Sequence, residues 1–242
     1  MGPSSPARPW ALVISSEHAS RDRPPELADP SLPDAVFETH VAWDPGAQEI
    51  ARALAAATGA PLHLGRYTRL FVDLNRSPTS PEAVPATAFG VPVPPNARLG
   101  ADQIRARIAA HHAPYWAAVE RDVLRAHDRA QAVLHLSVHS FVEEYQGRHR
   151  ALDLGLLFDP TRALERRVAD HLAHAFRRAG FDARDNEPYD GRADALTTAL
   201  RTTHGGTWYA GVELEINQRH LGRLEAVEAA VVAAVCALTG AE

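Results

Sequence analysis

Cysteine occurs once in the 242 residues, at Cys236, and lysine does not occur at all. A single cysteine excludes an intrachain disulfide framework and any metal site built on several thiolates. Without lysine, all 25 basic residues are arginine, which removes Schiff-base chemistry on a lysine amine. No window approaches the roughly 18 uninterrupted apolar residues of a membrane span, and the opening MGPSSPARPW has no long apolar core after a basic start. A cytoplasmic, reducing location without a membrane partner is the expectation. No Gly-rich phosphate loop of either standard spacing is present, so nucleotide binding has no support. The strained Gly-x-Ser-x-Gly elbow is missing too, which leaves Ser140 beside His139 as sequence neighbours rather than parts of a triad.

What is present suits one sizeable globular α/β domain spanning residues 1–242, with 45% hydrophobic content. The net charge of −5 is spread along the chain, so neither a nucleic-acid footprint nor a membrane-surface helix is indicated. A small-molecule partner is expected. Short apolar runs predict strands at residues 12–15, 61–64, 70–74, 133–138, 152–158 and 211–217. Helical spacing predicts helices at 47–57, 162–179 and 224–238, and one long helix or two joined at Pro114 over 102–130. Asp44 is placed to cap the first of these, and Gly180 to stop the helix before it. Residues 77–96 are rich in proline and small side chains and read as a long surface excursion; residues 185–191 read as a loop. Strands that alternate with helices argue for a mostly parallel sheet with helices on both faces.

In such a sheet the ligand site lies beyond the carboxyl ends of the strands. The first strand delivers Glu17 and His18 there, the run at 70–74 delivers Asn75 and Arg76, the strand from Val133 delivers His139, and the last strand puts Glu213, Glu215 and Asn217 on one face. Two imidazoles and one or two carboxylates, with a position left for water, make a catalytic zinc set. The same histidines could instead be hydrogen-bonded structural residues. Arg76 is either a solvated surface group or a bidentate clamp for a substrate carboxylate. Glu215 is harder to place structurally, because a carboxylate on a buried strand is costly unless paired or ligating; its neighbour Glu213 could pair with an arginine. His111, His112 and Tyr115 gather at a helix break and could line a pocket, and Tyr189 could reach a substrate from its proline loop.

Taken in order, SSEHAS, HVAWDPGAQEIARAL, YTRLFVDLNR, HHAPYW, VHSF, NEPYDG and ELEINQRHL resemble the N-formylglutamate amidohydrolase family over roughly residues 12–221. That family is similar in fold to the zinc carboxypeptidases. The resemblance implies a three-layer αβα domain, bound zinc, and hydrolysis of the amide of an N-acyl amino acid, typically N-formyl-L-glutamate to formate and glutamate. Carried over residue by residue, it implies His18 and His139 as metal ligands, Asn75 and Arg76 as binders of the substrate α-carboxylate, Glu215 as general base, Arg69 as a helper at the oxyanion, and Tyr189, with His112 and Tyr115, on the substrate side. In the carboxypeptidases a glutamate ligand follows the first histidine by three positions, and here that place holds Arg21. The third ligand must come from elsewhere. Asp44 is chosen over its capping role, with Glu17 in reserve because it leaves an extended strand on the side opposite His18. Two rivals stand beside this reading: a deacylase or carboxypeptidase-like peptidase acting on another N-acyl amino acid or peptide, and a non-catalytic α/β binding protein.

Overall fold

The structure is a computed structural model that describes residues 8–240. The start of the MGPSSPARPW segment and the last two residues of the expected domain lie outside the described residues. In chain order the elements are β1 (Arg8–Ser16), α1 (Ala47–Thr58), β2 (Leu62–Leu64), the hairpin strands β3 (Thr87–Ala88) and β4 (Val91–Pro92), α2 (Pro94–Ala97), α3 (Ala101–Arg107) and α4 (Ala113–His127). They continue with β5 (Ala130–Phe141), the hairpin strands β6 (Glu144–Tyr145) and β7 (Arg148–His149), β8 (Leu154–Leu157), α5 (Ala163–Arg178), β9 (Ala183–Asp185), α6 (Leu196–Thr203), β10 (Tyr209–Asn217) and α7 (Leu224–Thr239). Six strands form one sheet in the order β2-β1-β5-β10-β8-β9. β2, β1, β5 and β10 run parallel, while β8 is antiparallel to β10 and parallel to β9. The expected three-layer, mostly parallel mixed sheet is therefore the observed architecture. No helix among the described residues is long and apolar enough to cross a membrane.

The two faces of the central strands differ, and the difference locates the site. Leu12 and Ile14 of β1, Leu134, Leu136 and Val138 of β5, and Val212, Leu214 and Ile216 of β10 share a core with α1, α5 and α7. That face is apolar until Ser16 and Ser140 at the carboxyl ends of β1 and β5. By the period of two, the other face carries Val13, Ser15 and then Glu17; Val133, His135, Ser137 and His139; Tyr209, Gly211, Glu213 and Glu215. It begins apolar, packing Val13, Val133 and Tyr209 against Val119 and Val123 of α4 and Leu196 and Leu200 of α6. It then turns polar toward the carboxyl ends. A strand buried on both faces is ordinarily an unbroken apolar run, so this gradient marks where the sheet serves something other than packing.

Three sequence expectations are corrected. Residues 70–74 are not a strand but irregular backbone buried in a second core with Leu27, Phe37 and Val93. An apolar run of strand length reads alike in both settings, because each buries its side chains. Buried carbonyls without a ladder need other donors, and side chains supply them: Asn96 donates to the Leu70 carbonyl at 2.7 Å, Arg107 to that of Phe71 at 3.2 Å and Trp116 to that of Leu74 at 2.7 Å. The helices around Pro114 are joined by a π-helical turn over Ile108–His112. Pro114 follows directly on that wider turn, which lets the helix run on past a residue that lacks an N–H. The third correction concerns Asp44. Gly46, at φ +85°, takes the cap position of α1, and the Asp44 side chain makes no capping bond. The short β9 and α6 were not expected.

Candidate metal centre and active site

His18, Asp44 and His139 are buried, and one ligand atom of each falls within 4.8 Å of the others, a group that could hold a metal ion. β1 ends at Ser16, so His18 has just left the strand, whereas His139 still belongs to β5. Asp44 comes from the connection into α1, its backbone N–H donating to the His18 carbonyl at 2.9 Å. Both imidazoles turn Nδ1 toward the same carboxylate oxygen: Oδ2 of Asp44 lies 3.3 Å from His18 and 2.9 Å from His139. The other oxygen, Oδ1, accepts from the buried guanidinium of Arg69. Burial, with the Arg69 charge behind it, pushes His18 down to about 4. Burial works in the same direction on His139, but the bond and charge of Glu17 outweigh it and hold that imidazole above its ordinary value.

Glu215 stands beside His139 in the parallel register of β10 and β5. Its Oε2 is buried without a hydrogen-bond partner, and burial pushes the carboxyl up to about 7 despite the nearby His139. Across β8 it faces Gly155, where a Cβ would stand 3.2 Å from the Glu215 Cβ and 2.0 Å from the Glu187 carbonyl oxygen. Glycine there lets the loop that carries Tyr189 close down beside the glutamate. Among the described residues Glu213 pairs with no arginine; it accepts from Thr197 at 2.7 Å and Asn75 at 3.5 Å.

A cavity of about 160 Å³ opens over these groups, lined by His18, Asp44, His139, Glu213 and Glu215 and by Arg69, Asn75, Arg76, Phe89 and Tyr189. The side-chain oxygen of Asn75, Oδ1, accepts the Leu196 N–H at 3.0 Å, which ties the side chain to the start of α6. Arg76 donates to Glu82 at 2.9 Å and to the Asp194 carbonyl at 2.8 Å while lining the cavity. Tyr189 accepts from Arg150 at 3.1 Å.

Two residues expected on the substrate side lie elsewhere. His112 donates from Nε2 to the Arg76 carbonyl at 2.8 Å, and Tyr115 donates to Glu17 at 3.1 Å and to the His63 carbonyl at 3.2 Å. Neither lines the cavity. Glu17, the reserve ligand, is turned away from the cluster and meets Nε2 of His139 at 3.1 Å. Burial opposes its charge, but the His139 and Ser137 hydrogen bonds hold it at about 2. Arg21, where the carboxypeptidases have their glutamate, pairs with Glu38 at the surface. Sequence reasoning passed over Asp73, which accepts from His18 Nε2 at 2.7 Å. Its signal was available: an aspartate inside the apolar run at 70–74 is a buried carboxylate that needs a donor. Phe89, Arg150 and Asp194 carried no comparable signal.

Comparison with known proteins gives this geometry a setting. A search of curated protein sequences finds no match. The gene product Atu2144 of Agrobacterium tumefaciens is similar in structure at TM-score 0.80 and 29% identity, over 95% of this chain and 88% of that one. An N-formylglutamate amidohydrolase from Ralstonia eutropha JMP134 shares the fold at TM-score 0.69 and 20% identity, over 98% of this chain and 95% of that one. The sequence model for N-formylglutamate amidohydrolase matches residues 10–221, which takes in every residue of the cavity, and the chain belongs to that family.

Proposed function

We propose that the protein is a zinc-dependent amidohydrolase that cleaves the N-acyl amide of an N-acyl amino acid, N-formyl-L-glutamate to formate and L-glutamate being the reaction its family name supplies. The observation that carries this reading is the buried, partnerless Oε2 of Glu215 beside a cluster of two imidazole nitrogens and one carboxylate oxygen. The donor set fits the metal. Two neutral imidazoles and one carboxylate, with a position left open, are what catalytic zinc takes, and His18, Asp44 and His139 would hold it. When bound, zinc supplies Lewis acidity toward an amide carbonyl and toward water.

The remaining work falls to the chain. A carboxyl held near 7 can take a proton from the attacking water and return it at the same pH, so Glu215 accepts that proton as the C–O bond forms. It then delivers it to the amide nitrogen as the C–N bond breaks, leaving the free acid and the amine. Arg69, buried on the cavity wall, is placed to donate to the carbonyl oxygen as it gains charge. Asn75 and Arg76 hold the α-carboxylate, the guanidinium offering its planar fork; Tyr189 closes the substrate side. A cavity of about 160 Å³ is of the size that encloses one small organic molecule.

A second reading, removal of a larger acyl group, is favoured by a neighbouring cavity of about 220 Å³ that meets the first at Arg69, Arg76 and Phe89. A panel of N-formyl, N-acetyl and longer N-acyl amino acids, each assayed with and without chelator, separates the two. Turnover of N-formyl-L-glutamate that the chelator abolishes is the expected result. Turnover indifferent to chelator overturns the mechanism, and turnover of longer acyl groups alone keeps the mechanism and changes the substrate.

A further inference from the structure

Each residue of the metal cluster is tethered at the atom that points away from it. Asp44 gives Oδ1 to Arg69; His18 gives Nε2 to Asp73; His139 gives Nε2 to the Ser137 hydroxyl at 2.8 Å, which in turn donates to Glu17, and the Glu17 carboxylate itself stands 3.1 Å from that nitrogen. The two imidazole tethers are crossed. Glu17 is the chain neighbour of His18, yet it holds His139. Strand register explains the crossing: Ser15 of β1 pairs with Ser137 of β5, so two residues further on Glu17 comes level with His139, on the same face of the sheet. His18 is one residue further still, beyond the strand end, and reaches Asp73 in the buried loop instead.

Both carboxylates are themselves locked. Glu17, 1% exposed, accepts from Ser137 at 2.5 Å through Oε2 and from Tyr115 at 3.1 Å through Oε1. Asp73, 7% exposed, also accepts the Asn75 N–H at 2.9 Å. Buried carboxylates bonded on several sides have no freedom to turn, so their partners inherit a fixed orientation.

We infer that Glu17 and Asp73 are positioning residues that fix His139 and His18 as Nδ1 donors toward the metal, with Ser137 and Tyr115 holding Glu17 in place. The inference rests on the metal reading above. It moves Glu17 from reserve ligand, and Tyr115 from substrate contact, to the support of one histidine. The chemistry is general: an imidazole that donates its Nε2 proton to a carboxylate keeps the Nδ1 lone pair free, and it is the more basic ligand for doing so.

The test reads zinc affinity by competition with a chromophoric chelator, together with the imidazole Nε2–H signals of protein labelled with ¹⁵N-histidine. Glu17→Ala is expected to weaken zinc binding about 10- to 100-fold. It should also displace one Nε2–H signal, the same one displaced by Ser137→Ala, while Asp73→Asn displaces the other. Glu17→Gln, which keeps an accepting oxygen and the volume, should recover most of the lost affinity. Should Glu17→Ala fail to fold, Glu17→Gln and Ser137→Ala carry the same signal test. Unchanged affinity with both signals in place overturns the proposal, as does a Glu17 variant that moves the Asp73-dependent signal. The signals are read in zinc-free protein as well, so a chain that binds no zinc overturns the metal reading while the crossed tethers are still decided.

Discussion

Glu215 and His139 are paired residues on adjacent parallel strands, and the carboxylate faces the cavity that the imidazole helps to line. The pairing is a consequence of register: β10 and β5 run in step from Tyr209 opposite Val133 to Asn217 opposite Phe141. A carboxylate set beside an imidazole by two neighbouring strands is held more rigidly than one supplied by a loop.

Substituting Glu215 tests that arrangement directly. Glu215→Gln keeps shape and burial but has no proton to exchange, so kcat is expected to fall about 10²- to 10⁴-fold. Metal content should stay within error of the parent, because the residue is not in the His18, Asp44 and His139 group. Comparable turnover in the variant removes Glu215 from the mechanism.

Metal removal gives the second prediction. Dialysis against chelator should abolish turnover, and added zinc should restore it. His139→Ala takes away one of three ligand atoms and leaves Asp44 and Arg69 joined at the cluster, so elemental analysis is expected to show metal well below one per chain. Stoichiometric zinc in His139→Ala protein would move the centre elsewhere.

The parts of the site that sequence disclosed are those whose chemistry contradicts their surroundings. His18, His139 and Glu215 each follow or interrupt an apolar run, and a polar group there must be satisfied or functional. The runs ending at these residues were strands, so the strand-end argument placed them. The run at 70–74 ended in Asn75 and Arg76 by the same logic, and the chain does deliver both to the cavity, but from a buried loop stapled by Asn96, Arg107 and Trp116. Periodicity records burial, not hydrogen-bond partners, and could not separate the two. The tethers were beyond reach for a different reason. That Glu17 serves His139 depends on the β1 to β5 register, and that His112 and Trp116 serve the 70–76 loop depends on where α4 lies; neither relation is local in the sequence. The short β9 and α6 carry too few residues to show a period.

Arg76 allows the α-carboxylate assignment to be separated from catalysis. Its guanidinium is anchored by Glu82 and the Asp194 carbonyl, so it meets a substrate in one orientation. Arg76→Lys keeps the charge and loses the fork. A charge-assisted hydrogen bond of about 1.5 to 3 kcal/mol then corresponds to a rise in KM of about 10- to 100-fold. With kcat little changed, the loss is one of uniform binding. A fall in kcat at constant KM would place Arg76 at the reacting bond instead.

His135 yields a stability prediction independent of substrate and metal. It is fully buried one turn of the polar face below the site, with Nε2 2.8 Å from the Ser15 hydroxyl and Nδ1 2.9 Å from that of Tyr209. Burial is the main influence that lowers it to about 4; Glu17 opposes the shift, while His63, Arg201 and His139 reinforce it. The unfolded chain protonates this imidazole near 6.5, so between 6.5 and 4 the unfolded state binds a proton that the folded state refuses. Stability is therefore full above pH 6.5 and falls as the pH drops toward 4. From these two values the loss by pH 5 is about 2 kcal/mol. Denaturant unfolding at pH 7.5 and pH 5, for the parent and for His135→Gln, isolates the contribution, since glutamine offers both hydroxyls a partner and does not titrate. The parent should lose about 2 kcal/mol more than the variant across this interval; equal losses would mean that the folded protein protonates His135 as readily as the unfolded chain does.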